Sequence, residues 1–98
     1  MPKPYYADYI NHAIRQYVQK PIADSGDYID VRNRYVVKTV LLGLTIEEKD
    51  AILEVYRRRD TMEDNVYSVA RERKIDQDKI WTMLSRVTKM IAKELKLI

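Results

Sequence analysis

Val69-Ala70-Arg71-Glu72-Arg73-Lys74-Ile75-Asp76-Gln77-Asp78-Lys79-Ile80-Trp81-Thr82-Met83-Leu84 is the stretch from which the fold is read, because its spacing fits two helices that cross at a short turn. Ala70 supplies a small residue where the helices touch, and Ile75 plugs the turn. Asp76 is a good N-cap for the second helix, whose inner side is filled by Ile80 and by Met83 or Leu84. Lys74 stands where such turns often carry glycine, and Arg73 precedes it at a usually apolar position. The pattern predicts a helix-turn-helix whose second helix runs from about Gln77 to near the end. Ile80, Met83, Leu84, Val87, Met90, Ile91, Leu95 and Ile98 are expected on its apolar side.

Upstream, Thr45-Ile46-Glu47-Glu48 has capping-box spacing and should open a third helix with Ile52, Leu53, Val55 and Tyr56 inward. That helix closes on Arg57-Arg58-Arg59, cations placed where the helix dipole favours them. Thr61-Met62-Glu63-Asp64 offers a second cap, for a fourth helix to about Arg73. The first helix is expected over Tyr5 to Gln19, with Tyr6, Tyr9, Ile10, Ala13, Ile14 and Tyr17 at helical spacing, and Pro21 marks its end. Pro21 to Asp27 reads as a loop. The second helix then runs from about Tyr28 to Leu42, with Gly43 as its C-terminal cap. Tyr28, Ile29, Val31, Tyr35, Val36, Val37, Val40, Leu41 and Leu42 cover so much of its circumference that it is either the central helix or partly buried against a second subunit. The expected class is therefore all-α, with about five helices and a long recognition helix in a C-terminal helix-turn-helix. Residues 1–44 form an N-terminal helical segment expected to dimerise, and residues 45–98 form the helix-turn-helix domain.

Composition narrows the function. The 98 residues are 46% hydrophobic and 34% charged with a net charge of +3, a balance suited to one globular core with a charged surface. No cysteine is present, which removes a disulfide framework and a thiolate zinc site and fits a reducing, cytoplasmic setting. No stretch approaches the length of a membrane span, and Met1 to Asp8 contains no uninterrupted apolar run of the kind a secretory signal carries. His12 is the single histidine, and no glycine-rich phosphate loop, H-E-x-x-H or G-x-S-x-G pattern occurs. No catalytic residue, metal ligand or cofactor is therefore expected, and Glu47, Glu48, Asp50 and Glu54 are accounted for by the helix dipole.

From about Thr45 onward, the capped helix ending near VYRRRD, the helix-turn-helix and the long helix closing on AKELKL resemble two groups of proteins. One is the C-terminal part of RinA-type and ArpU-type late-gene transcription regulators of Gram-positive phages; the other is region four of sigma factors. The resemblance covers roughly half of the chain. It implies binding to double-stranded promoter DNA, with RNA polymerase as a further partner, and a phage or prophage origin. It also implies a recognition helix whose outward residues are Gln77, Asp78, Trp81, Thr82, Ser85 and Arg86.

A helical wheel puts Ile80, Leu84, Val87 and Ile91 on one side, and Asp78, Thr82, Ser85, Arg86, Lys89 and Lys93 on the other. In a major groove, Arg86 suits guanine O6 and N7, Gln77 suits adenine, and Lys89 and Lys93 suit phosphates. Arg57, Arg58, Arg59, Arg71 and Lys74 are further candidates for phosphate contact, although helix-end electrostatics explains the first three equally well. Trp81, on the flank of the wheel, either seals the core edge or contacts the DNA, and partial burial is the favoured expectation. Asp78 repels phosphate and fits a protein contact as well as cytosine N4.

Residues 71–98 hold eight Lys or Arg against four Asp or Glu, whereas residues 45–70 hold four against seven. That asymmetry favours DNA binding over two alternatives: an adaptor docking on RNA polymerase or another phage or host protein, and a helix-turn-helix DNA-packaging protein. A homodimer is expected, because one small reading head buries limited DNA surface.

Overall fold

The computed structural model describes residues 5–19 and 28–98. These residues form five helices and no strand: α1 (Ala7–Gln19), α2 (Tyr28–Leu42), α3 (Ile46–Arg57), α4 (Met62–Arg73) and α5 (Gln77–Glu94). The loop expected over Pro21 to Asp27 lies outside the described residues. Helix α5 packs against each of the other four, and α1 also lies against α2 and α3.

Each helix contributes one stripe to a common core. The stripes are Ile10, Ala13 and Ile14 from α1, Val37, Val40 and Leu41 from α2, and Ala51, Ile52, Val55 and Tyr56 from α3. Val66, Val69 and Ala70 come from α4, and Ile80, Leu84, Val87, Ile91 and Ala92 from α5. Spacings of three and four residues put these side chains on one face of each helix, and burying each large one contributes about 1.5–3 kcal/mol.

The connections explain the helix boundaries. At the start of α3, the Thr45 hydroxyl accepts from the Glu48 backbone N–H at 3.1 Å, and the Glu48 carboxylate accepts from the Thr45 N–H at 3.1 Å, closing the expected capping box. Thr61 caps α4 by accepting from the Asp64 N–H, and Asp76 caps α5 by accepting from the Asp78 N–H. Helix α4 ends on Lys74, which takes the left-handed conformation (φ 55°, ψ 44°), while the Ile75 N–H reaches back to the Ala70 carbonyl at 2.9 Å. The chain thus places lysine where glycine is usual, at a steric cost on the order of 1 kcal/mol.

Three expectations need correction. Gly43 does not cap α2 through a left-handed conformation, since its φ is not positive; its N–H instead donates to the Val40 carbonyl at 3.1 Å, tightening the last turn. Met90 and Ile98 are exposed rather than inward. Helix α5 stops at Glu94, and Lys96 turns left-handed (φ 60°) so that the Leu97 N–H bonds the Ala92 carbonyl at 2.8 Å. Ile98 therefore leaves the wheel on which it was placed, and Met90 sits at the wheel's outer margin. Tyr9 is likewise exposed, its hydroxyl accepting from the Asn33 amide of α2 at 2.9 Å.

Candidate nucleic-acid interface

Burying Ile80, Leu84, Val87 and Ile91 under the other helices turns the opposite side of α5 outward. Gln77, Asp78, Trp81, Thr82, Ser85, Arg86, Lys89 and Lys93 are all exposed there, so one helix brings together every residue anticipated for base or groove contact. The eight cations of residues 71–98 (Arg71, Arg73, Lys74, Lys79, Arg86, Lys89, Lys93 and Lys96) are exposed as well.

The side chains on that face are not equally available. Lys89 and Lys93 form no ion pair with the described residues, whereas Arg86 donates to the Glu48 carboxylate of α3 at 3.1 Å. Glu48 thus serves two partners. The Thr45 backbone N–H, the Thr45 hydroxyl and the nearby Arg86 charge together hold its carboxyl below the usual range, against a smaller opposing effect of desolvation. The Thr82 hydroxyl donates to the Asp78 carbonyl one turn back at 2.9 Å, which leaves only its lone pairs for an incoming group. Asp76 is spent on the α5 cap.

Trp81 is 36% exposed at the mouth of a cleft of about 270 Å³ between α1, α4 and α5, lined among others by Tyr6, Met62, Leu84 and Ser85.

The arginine cluster divides. Arg57 pairs with Glu54 at 3.0 Å. Arg58 pairs with Glu54 at 3.4 Å and also with Glu72 of α4, and the Glu72 hydrogen bond is the leading cause that raises its guanidinium above its ordinary value. Arg58 therefore ties α3 to α4. Arg59 is exposed, as are Arg71 and Lys74, and none of these three is ion-paired with the described residues.

Several residues that position this face carry no signal of their own in the sequence. Asn65 is buried in α4, and its amide donates to the carbonyls of Val55 (3.0 Å), Arg58 (3.1 Å) and Asp60 (3.3 Å), clamping the α3–α4 corner. Tyr56 is buried and donates its hydroxyl to Asn11 of α1 at 2.6 Å, while its carbonyl accepts from Gln19 at 3.2 Å. Burial pushes the Tyr56 phenol above its ordinary value. Only a long-range pairing reveals these roles, since each residue alone is an ordinary helix constituent.

Among the described residues, no cluster of acidic or histidine side chains could hold a metal ion, and no helix is long and apolar enough to cross a membrane. No protein-family model, curated protein or solved structure matches this chain.

Proposed function

We propose that the chain is a sequence-specific duplex-DNA-binding transcription regulator in which α4 and α5 act as a helix-turn-helix and α5 is the recognition helix. The observation that carries this reading is the outward face of α5: cations spaced over four turns, unburied, with Lys89 and Lys93 forming no ion pair with the described residues, on a helix whose other side is locked into the core. Of the four acidic residues in the same segment, Glu72 is paired with Arg58 and Asp76 accepts at the α5 cap, while Arg86 is paired in turn with Glu48, so the excess of cations on this segment stays close to the sequence count. The first turns of α5 present Gln77, Asp78 and Thr82 toward the bases, Arg86 reads guanine, and Lys89 and Lys93 bind phosphates further along. The resemblance of residues 45–98 to phage late-gene regulators and to sigma region four supports this reading and would make RNA polymerase a further partner.

Selection of bound fragments from a random duplex library, followed by titration of variants at several salt concentrations, tests the reading. Arg86→Ala should cost about 1–3 kcal/mol on the selected site and relax preference at one base pair. Lys93→Ala should weaken all sequences alike and make the log–log salt slope shallower by about one. Because Glu48 competes for Arg86 in the free chain, Glu48→Gln should strengthen binding.

A second reading, docking on RNA polymerase, draws on the capture of Arg86 by Glu48 and on the exposure of Asp78 and Trp81 beside it. It replaces the first if neither cation substitution changes DNA affinity while Asp78→Ala or Trp81→Ala abolishes polymerase binding.

A further inference from the structure

The large hydrophobic side chains left in solvent are concentrated on one helix. Tyr28 (76% exposed), Val31 (50%), Tyr35 (70%) and Leu42 (64%) all lie on α2, and Ile46 follows them at the start of α3. With Lys38, also exposed, the four α2 residues fall at positions 28, 31, 35, 38 and 42, alternating steps of three and four. That is the seam of a helix pair, in which each side chain enters a hole between four residues of a facing helix. The opposite side of α2 is already spent on Val37, Val40 and Leu41, so the seam is additional to the core. A contiguous apolar strip of this kind on a small protein marks an interaction surface.

We infer that this seam pairs with the same seam of a second copy of the chain, with the two α2 helices antiparallel. The spacing calls for an α-helix as occupant, and a second α2 offers one whose Tyr35 can meet the seam's own lysine, Lys38. On the seam and its flanks the exposed charges are Lys38 and Arg32, both basic, and Lys38 forms no ion pair with the described residues. A parallel pair stacks Lys38 on its own copy. An antiparallel pair removes that clash: with Val31 set opposite Leu42 of the second copy, Tyr35 falls opposite Lys38, and the two-fold axis repeats both contacts. Each ammonium then lies across a tyrosine ring, a favourable cation–π arrangement, between two aliphatic layers. A lysine in such a seam specifies orientation at some cost in stability. Helix α2 is 15 residues long, about 22 Å, so this contact is smaller than the roughly 800 Å² per partner of a standard interface and predicts a dimer in the micromolar range.

The inference is independent of the DNA-binding reading and is tested without DNA. Sedimentation equilibrium of the full chain should show a monomer–dimer equilibrium with a dissociation constant on the order of micromolar. Tyr35→Glu, a change at an exposed position, should weaken dimerisation at least about 100-fold, with helicity unchanged and with Tm unchanged at concentrations where the parent is monomeric. Orientation is read by oxidative cross-linking, which the absence of native cysteine makes clean. The double variant Val31→Cys/Leu42→Cys should form a disulfide-linked dimer. Each single variant should fail to do so, because like positions lie about 16 Å apart along the antiparallel pair. A strict monomer at 100-fold above the micromolar range, an unaltered dimer for Tyr35→Glu, or efficient cross-linking by both single variants would overturn the proposal.

Discussion

Helices α2 and α5 share the same internal task and differ in what they show to solvent. Each buries a stripe of branched aliphatic side chains against its neighbours, Val37, Val40 and Leu41 in one case and Ile80, Leu84, Val87 and Ile91 in the other. Outward, α5 presents Arg86, Lys89 and Lys93 among small polar residues, whereas α2 presents Tyr28, Val31, Tyr35 and Leu42. The inner faces explain why both helices exist in this fold, and the outer faces carry the functional content. A cationic face suits a polyanion and is screened by salt, while an apolar face suits another protein surface and is not.

Sharpening this contrast begins with the largest effect expected. Ile80→Asp places a carboxylate among the buried residues of α5 and should leave the chain unfolded or destabilised by about 4 kcal/mol or more, read by thermal melting. Tyr35→Glu introduces the same kind of charge on α2 at a position 70% exposed and should leave the melt nearly unchanged at concentrations where the parent is monomeric. Equal losses at both sites would mean that Tyr35 is packed, and the division between inner and outer faces of α2 would fail.

The next effect concerns the corner that orients α4 beneath α5. Asn65→Ala removes the amide that serves three carbonyls around the α3–α4 connection and leaves them without that donor, at a cost of about 2 kcal/mol in a chemical denaturation series. Stability that stays within a few tenths of the parent would show that water replaces the clamp.

These two predictions also separate what the sequence discloses from what it conceals. The α5 wheel is legible because its apolar and charged residues segregate, so burying Ile80, Leu84, Val87 and Ile91 leaves only one choice of outer face. The wheel of α2 is apolar around most of its circumference, and spacing alone does not tell Val37 from Tyr35. The side facing α5 and α1 is fixed only when the helices pack. The caps at Thr45, Thr61 and Asp76 are local and could be read directly, each needing one side chain and one backbone group a few residues apart. Asn65, the Tyr56–Asn11 hydrogen bond and the Glu48–Arg86 pair join residues 5 to 45 positions apart, and no local pattern announces them. Arg86 shows the consequence for the site: the wheel places it outward, but its partner in the free chain comes from another helix.

A smaller effect bears on that partner. Thr45→Ala removes the hydroxyl that caps α3 and should cost about 1 kcal/mol at neutral pH. The sign of its pH dependence follows from Glu48, whose folded carboxyl titrates below its ordinary value of 4.5. A depressed acid contributes stability above the unfolded value and loses it as pH falls through the folded one. The Thr45 backbone N–H, the leading cause of that depression, remains in Thr45→Ala, so only the hydroxyl's share of the parent's acid destabilisation should be absent, and melts across the acid range should draw closer as pH drops. Parallel pH curves would show that Thr45 does not govern the Glu48 carboxyl.

The smallest effect expected is also the one that most directly sets stability against the proposed DNA contact. Lys74 holds a left-handed backbone conformation at the end of α4, where a side chain crowds its own carbonyl and glycine does not. Lys74→Gly relieves that crowding but gives the unfolded chain more freedom, so the net gain should be only about 0.5 kcal/mol. The same change removes an exposed, unpaired cation beside the α4–α5 turn. If that ammonium meets a phosphate, the variant should melt slightly higher and yet bind every duplex more weakly, with a salt slope shallower by up to about one. A gain in stability with unchanged DNA affinity would remove Lys74 from the interface. A loss of stability would mean that its side chain makes a contact beyond the left-handed turn, since glycine fits that backbone better than lysine does.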